Sequence, residues 1–139
     1  PETPPGEKAG EGKRPPVAAP AEADWSETYA ADEITLFRFS ALTFNTHRIH
    51  YDAPYAREVE RYRGLVVHGP LISTLLLQLA ADLVGPNALR SFAFTARSPA
   101  IAGDTLHLAA RQAGDTLELA ALNDAGALLT KASAVTGGG

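Results

Sequence analysis

A helix that is apolar around nearly its whole circumference has to sit inside something, and from Leu71 to Val84 this chain has one. Leu71, Leu75, Leu76, Leu79, Ala80, Leu83 and Val84 recur at three- and four-residue steps, and Ile72 and Leu77 fill much of the remaining surface. The pattern stops at Gly85-Pro86, a glycine that can close a helix followed by a proline that cannot continue it. Ser73, Thr74 and Gln78 interrupt the apolar run, which falls far short of the roughly 20 residues needed to span a bilayer. The spacing therefore predicts a helix buried in protein, and no membrane partner is expected.

Beyond Gly85-Pro86 the period changes. Phe92 and Phe94, Leu106 and Leu108, Leu117 and Leu119, and the stretch Leu129 to Val135 read as strands. Gly103-Asp104, Gly114-Asp115 and Asn123-Asp124-Ala125-Gly126 punctuate them as turns. Turns that tight leave no room for crossover helices, which disfavours a doubly wound parallel sheet. The expected class is α+β, a curved antiparallel sheet wrapped round a long central apolar helix. Upstream, a short strand is expected around Glu27-Thr28-Tyr29. Asp32 then caps a helix carrying Ile34, Phe37 and Ala41. Thr43 to Asp52 reads as a loop, and Pro54 opens a short helix through about Arg61 that Gly64 ends.

A length of 139 residues with 45% apolar content suits one domain with a real core. Residues 1–24 hold most of the prolines, several glycines and scattered charge without apolar periodicity, and read as a linker or disordered tail. The domain is expected over residues 25–136, with a glycine tail at 137–139. A net charge of −4 offers no basic field for nucleic acid. The absence of cysteine excludes disulfides and thiolate metal ligation and fits a reducing compartment, and the bacterial cytoplasm is the expected location. The chain begins with Pro1 and without a basic, then apolar, leader, so it reads as a piece of something longer.

Three places carry candidate chemistry. Asn45-Thr46-His47-Arg48-Ile49-His50-Tyr51-Asp52 gathers two imidazoles, an amide and a carboxylate. It can be a surface loop with incidental histidines or an acid-base site. A metal site is disfavoured, because no third ligand pattern accompanies His47 and His50. Val66-Val67-His68-Gly69-Pro70 opens the buried helix, whose first N–H groups lack internal partners. Gly69 would let a carbonyl oxygen approach there, although Gly-Pro can equally do no more than start the helix. Arg97, before Ser98-Pro99, is either a solvated strand end or a contact for a phosphate or pantetheine group.

Phe39 to Asp52 (FSALTFNTHRIHYD) together with Gly64 to Leu71 (GLVVHGPL) resembles the MaoC-like (R)-specific enoyl-thioester hydratases. The resemblance is strongest to the branch of type 2 hydroxyacyl-thioester dehydratases and mesaconyl- or itaconyl-CoA hydratases. It covers roughly residues 25–136 and implies a hot-dog fold. It also implies an enzyme, a hydro-lyase that reversibly hydrates an enoyl thioester to a 3-hydroxyacyl thioester on CoA or an acyl carrier. No cofactor and no metal are implied. In the family pattern S-G-D-x-N-P-x-H-x-D, an aspartate and a histidine flank the substrate, while a V-H-G segment binds the thioester oxygen. With His50 and Asp52 set on H-x-D, the family aspartate falls on Asn45, its asparagine on His47 and its proline on Arg48. An amide orients a water but accepts no proton, so the resemblance leaves proton transfer to His50, water holding to Asn45 and oxyanion binding to the Gly69 N–H. His47, Arg48, Val67, His68 and Arg97 are the expected substrate contacts. Proteins of this branch often join two hot dogs in one chain, so a second hot-dog domain or a homodimer is the expected partner. Two other functions compete: a hot-dog acyl-thioesterase, and a catalytically silent acyl-binding half.

Overall fold

The computed structural model describes residues 25–137; the linker and most of the glycine tail expected from sequence lie outside that range. Five strands form one antiparallel sheet: β1 (Trp25–Tyr29), β2 (Leu89–Ala96), β3 (Leu106–Ala113), β4 (Thr116–Leu122) and β5 (Leu128–Thr136), in the order β1-β3-β4-β5-β2. The sheet holds the central helix α2 (Gly69–Val84) against one face. Period-two alternation decides which residues meet it. Leu106, Leu108 and Ala110 of β3, Leu117, Leu119 and Ala121 of β4, and Ala132 and Ala134 of β5 are buried in one core cluster with Ile72, Leu76, Leu79 and Ala80 of α2. The alanines of β5 leave room for the leucines of the helix. Gly85, at φ 88°, closes α2 in a conformation that side chains rarely adopt, and its N–H returns to Ala81 O at 2.8 Å.

The strand that leaves the helix does not join the meander at its near side. β2 pairs with β5 at the far edge, so residues 97–105 must cross back to begin β3. That crossing passes the start of α2, where Val67 N–H donates to Ala100 O at 2.8 Å and Ala102 N–H to Leu65 O at 2.8 Å. The crossing also brings Arg97, Ser98 and Pro99 to the same cavity wall as Gly69.

Two local expectations are corrected. The first concerns α1 (Glu33–Thr43), which is capped as expected by Asp32, whose Oδ1 accepts the Thr35 N–H at 2.8 Å. It buries Leu36 and Ser40, however, and turns Ile34 (58% exposed) and Phe37 (62% exposed) outward together with Ala41. The face is chosen by what lies beneath: the Ser40 hydroxyl reaches a buried imidazole, a partner that periodicity cannot reveal. The second concerns the next helix, which widens into a π-turn over Tyr55–Val59 and is reversed by Arg61 at φ 69°, not by Gly64. Gly64 is needed for contact instead, since a Cβ there would come within 3.2 Å of Ile101 Cγ2. The Thr43 to Asp52 loop contains a short 3-10 turn, Arg48–His50, which buries Ile49 and His50.

Candidate active site

That turn drives His50 inward until only 7% of it is exposed. Its Nδ1 lies 2.7 Å from Val66 O. A carbonyl oxygen only accepts, so Nδ1 carries the proton and Nε2 is left with a lone pair. Nε2 has no partner among the described residues and is not one of the buried orphan atoms, so it is the accessible face of the ring. Burial lowers the His50 pKa; the bond to Val66 opposes this, and the positive charge His47 can carry adds to it. The ring is therefore a neutral base at neutral pH.

Beneath it lies His68, with no exposed surface, its ring stacked on that of His50 at 3.8 Å and 18°. Its Nε2 sits 2.8 Å from Ser40 Oγ, the edge of Phe39 meets it at 4.8 Å, and its Nδ1 is buried without a partner. Burial, reinforced by the neighbouring His50, takes its pKa down from 6.5 to about 4, so it too is neutral.

One residue on, α2 begins. The His68 carbonyl accepts the N–H groups of Leu71 (3.1 Å) and Ile72 (3.2 Å), and Pro70 has no N–H. The Gly69 N–H makes no hydrogen bond among the described residues, at the end of the helix where the backbone dipole is positive. A Cβ on Gly69 would meet nothing within 4 Å, so no contact inside the chain requires a glycine there.

His50, Val67, Gly69 and Arg97 line one cavity of about 310 Å³, closed by Ile49, Ile72, Ser98, Pro99, Ala100 and Thr130. Its wall contains no carboxylate. The other expected site residues are held elsewhere. Asn45 lines a separate recess of about 160 Å³ with Ser40, Thr46 and Tyr51, and its Oδ1 accepts the His47 N–H at 3.1 Å. Arg48 is bound to Asp52 at 2.8 Å and covers the Tyr55 ring at 4.2 Å. His47 is exposed, its ring 5.8 Å from that of His50. A larger recess of about 410 Å³, around Asp32, Glu33, Arg57, Arg63 and Asp104, contains no imidazole. Among the described residues no group of His, Asp and Glu could hold a metal, and no helix is long and apolar enough to cross a membrane. Ser40 and Thr130 were not expected at the site. Thr130 had a faint signal, a hydroxyl among the inward-facing positions of β5; Ser40 had none.

The model of the hydroxyacyl-thioester dehydratase type 2 family matches residues 3–102, and the chain belongs to that family. Over 74 residues it is 51% identical to a mesaconyl-C(4)-CoA hydratase of Chloroflexus aurantiacus, a match covering 53% of this chain and 26% of that protein. Over 85 residues it is 35% identical to the mitochondrial hydroxyacyl-thioester dehydratase type 2 of Schizosaccharomyces pombe, covering 60% of this chain and 28% of that one. The chain thus spans about a quarter of the length of these relatives. In fold it is similar to the (R)-hydratase from A. caviae involved in PHA biosynthesis, with a TM-score of 0.68 at 21% identity, covering 86% of this chain and 98% of that one. The fold is the hot dog expected from sequence.

Proposed function

We propose that this chain carries the catalytic half of a hydro-lyase that adds water reversibly across the α,β double bond of an enoyl thioester, giving a 3-hydroxyacyl thioester. The observation that carries the reading is the pairing, on one cavity wall, of a base with a fixed tautomer and a free backbone donor: His50 Nε2 and the Gly69 N–H. His50 Nε2 takes a proton from water as its oxygen bonds to the β-carbon. The π electrons move toward the thioester, and the Gly69 N–H receives the charge that develops on the carbonyl oxygen. The imidazolium then returns the proton to the α-carbon, so addition is syn and nothing is left over. Asn45 lines the neighbouring recess and not this cavity, so the scheme gives it no step, and an Asn45→Ala chain should keep most of its turnover in the hydration assay.

In the substrate, Arg97 at the cavity mouth is the group for a carrier phosphate or for the carboxylate of a short dicarboxylic acyl chain such as mesaconyl. The second hot dog, whether another domain or another copy, is supported by the exposed residues of β2, an edge strand with Phe94 45% exposed, and by the outward apolar face of α1. Hydrolysis of the thioester is the weaker reading, because the cavity has no carboxylate to direct water at the carbonyl carbon. Incubating the protein with crotonyl-, mesaconyl- and itaconyl-CoA tests the function. Loss of enoyl absorbance without release of free thiol is expected. Thiol release would indicate a thioesterase, and neither signal a silent half.

A further inference from the structure

Neither Ser40, which is buried at the edge of the Asn45 recess, nor the fully buried His68 lines the His50 cavity, yet they form a polar pair in the core beneath the base. A buried polar pair of that kind needs a reason, because apolar side chains of similar size would fill the space at no cost in unmet hydrogen bonds. Of the two His68 nitrogens, one has Ser40 and the other has nothing. A buried N–H without an acceptor is worse than a buried lone pair, so the proton belongs on Nε2 and is donated to Ser40 Oγ. Ser40 therefore fixes both the tautomer and the rotation of the His68 ring.

Two catalytic groups depend on that residue. The first is His50, which lies flat on it at 3.8 Å; a turn of His68 would tilt the His50 ring and swing Nε2. The second is the Gly69 N–H, which belongs to the peptide bond that His68 itself begins. In a trans peptide the N–H points opposite to the carbonyl. The His68 carbonyl is held into the first turn of α2 by the Leu71 and Ile72 N–H groups, so the Gly69 N–H is aimed outward from the helix end. The side chain of one residue thus carries the base on its face, while its backbone carries the oxyanion donor.

We infer that Ser40, acting through His68, is a positioning residue that sets the His50 base and the Gly69 donor in register with each other. The inference rests on the hydratase reading. Replacing Ser40 by alanine removes no group from the cavity, so substrate binding should be preserved while the alignment is lost. In the Ser40→Ala chain, kcat should fall on the order of tenfold, against the roughly hundredfold that an ångström of misplacement can cost, with KM within about twofold. Nitrogen NMR of the imidazoles should show His68 as the Nε2–H tautomer in the parent chain and as a mixture in Ser40→Ala. Ser40→Thr, which keeps the hydroxyl, should recover both the tautomer and most of the rate. An unchanged kcat in Ser40→Ala would overturn the inference, and so would a loss that threonine does not repair. If the parent chain hydrates no thioester the functional reading fails. If it does, and His50→Gln is inactive while Ser40→Ala is not, only the positioning role fails.

Discussion

His50→Gln should fold as the parent does and lose hydration by about two to four orders of magnitude in kcat, the usual range for removing a general base. Glutamine has a comparable reach, and its amide can still donate to Val66 O, the bond that holds the imidazole at 2.7 Å. What it lacks is a lone pair able to take a proton at neutral pH. The loss should therefore fall on kcat, with KM little changed and the thermal midpoint close to that of the parent. Steady-state kinetics beside a melting curve measures both. A His50→Gln chain with parental turnover would leave the cavity without a base.

The second large effect is expected at Gly69, where the group in question is part of the backbone. Proline is the substitution that deletes it. The local geometry suits a proline: Gly69 is the first residue of α2, where a missing N–H breaks no helical bond, and His68 before it is extended at φ −60° and ψ 135°, as a residue preceding proline must be. Nothing within 4 Å opposes a Cβ. Gly69→Pro should thus retain the fold and lose about 100- to 1000-fold in kcat, the cost of removing one oxyanion donor. Gly69→Ala serves as its control, since it keeps the N–H and adds only a methyl group. Proline and alanine variants of equal activity would mean that the N–H does not bind the oxyanion.

Much of this was legible in the sequence because its signals were local. Leu71 to Val84 betrayed α2 by period, the paired leucines and glycine turns gave the strands, and His50 and Gly69 stood in a recognisable pair of segments. What escaped depended on contacts between residues far apart in the chain. Ile34 and Phe37 have the spacing of a buried face, but α1 rotates to offer Ser40 to a histidine 28 residues on. Arg61 adopts a left-handed conformation that no residue preference suggests, and β2 crosses to the far edge of the sheet, which no turn signal announces. Asn45 was placed with His50 by the resemblance, as the position of the family aspartate, whereas the 3-10 turn between them sends His50 inward and leaves Asn45 in the neighbouring recess.

The central claim is that neutral His50, with Nε2 free, is the base. Hydration and dehydration consume no net proton, and each begins by handing one to the same nitrogen, so both directions need the same uncharged form. Burial, the largest influence on this ring, lowers its pKa from 6.5. In both directions kcat/KM should therefore be level at neutral pH and decline tenfold per unit once pH drops below the His50 pKa. The most direct measurement is a nitrogen NMR titration of His50 alongside the pH profile of kcat/KM. The expected result is an Nδ1–H tautomer at pH 7 and a midpoint below 6.5 that coincides with the acid limb of the rate. An Nε2–H tautomer, or a His50 that titrates apart from the rate, would contradict it.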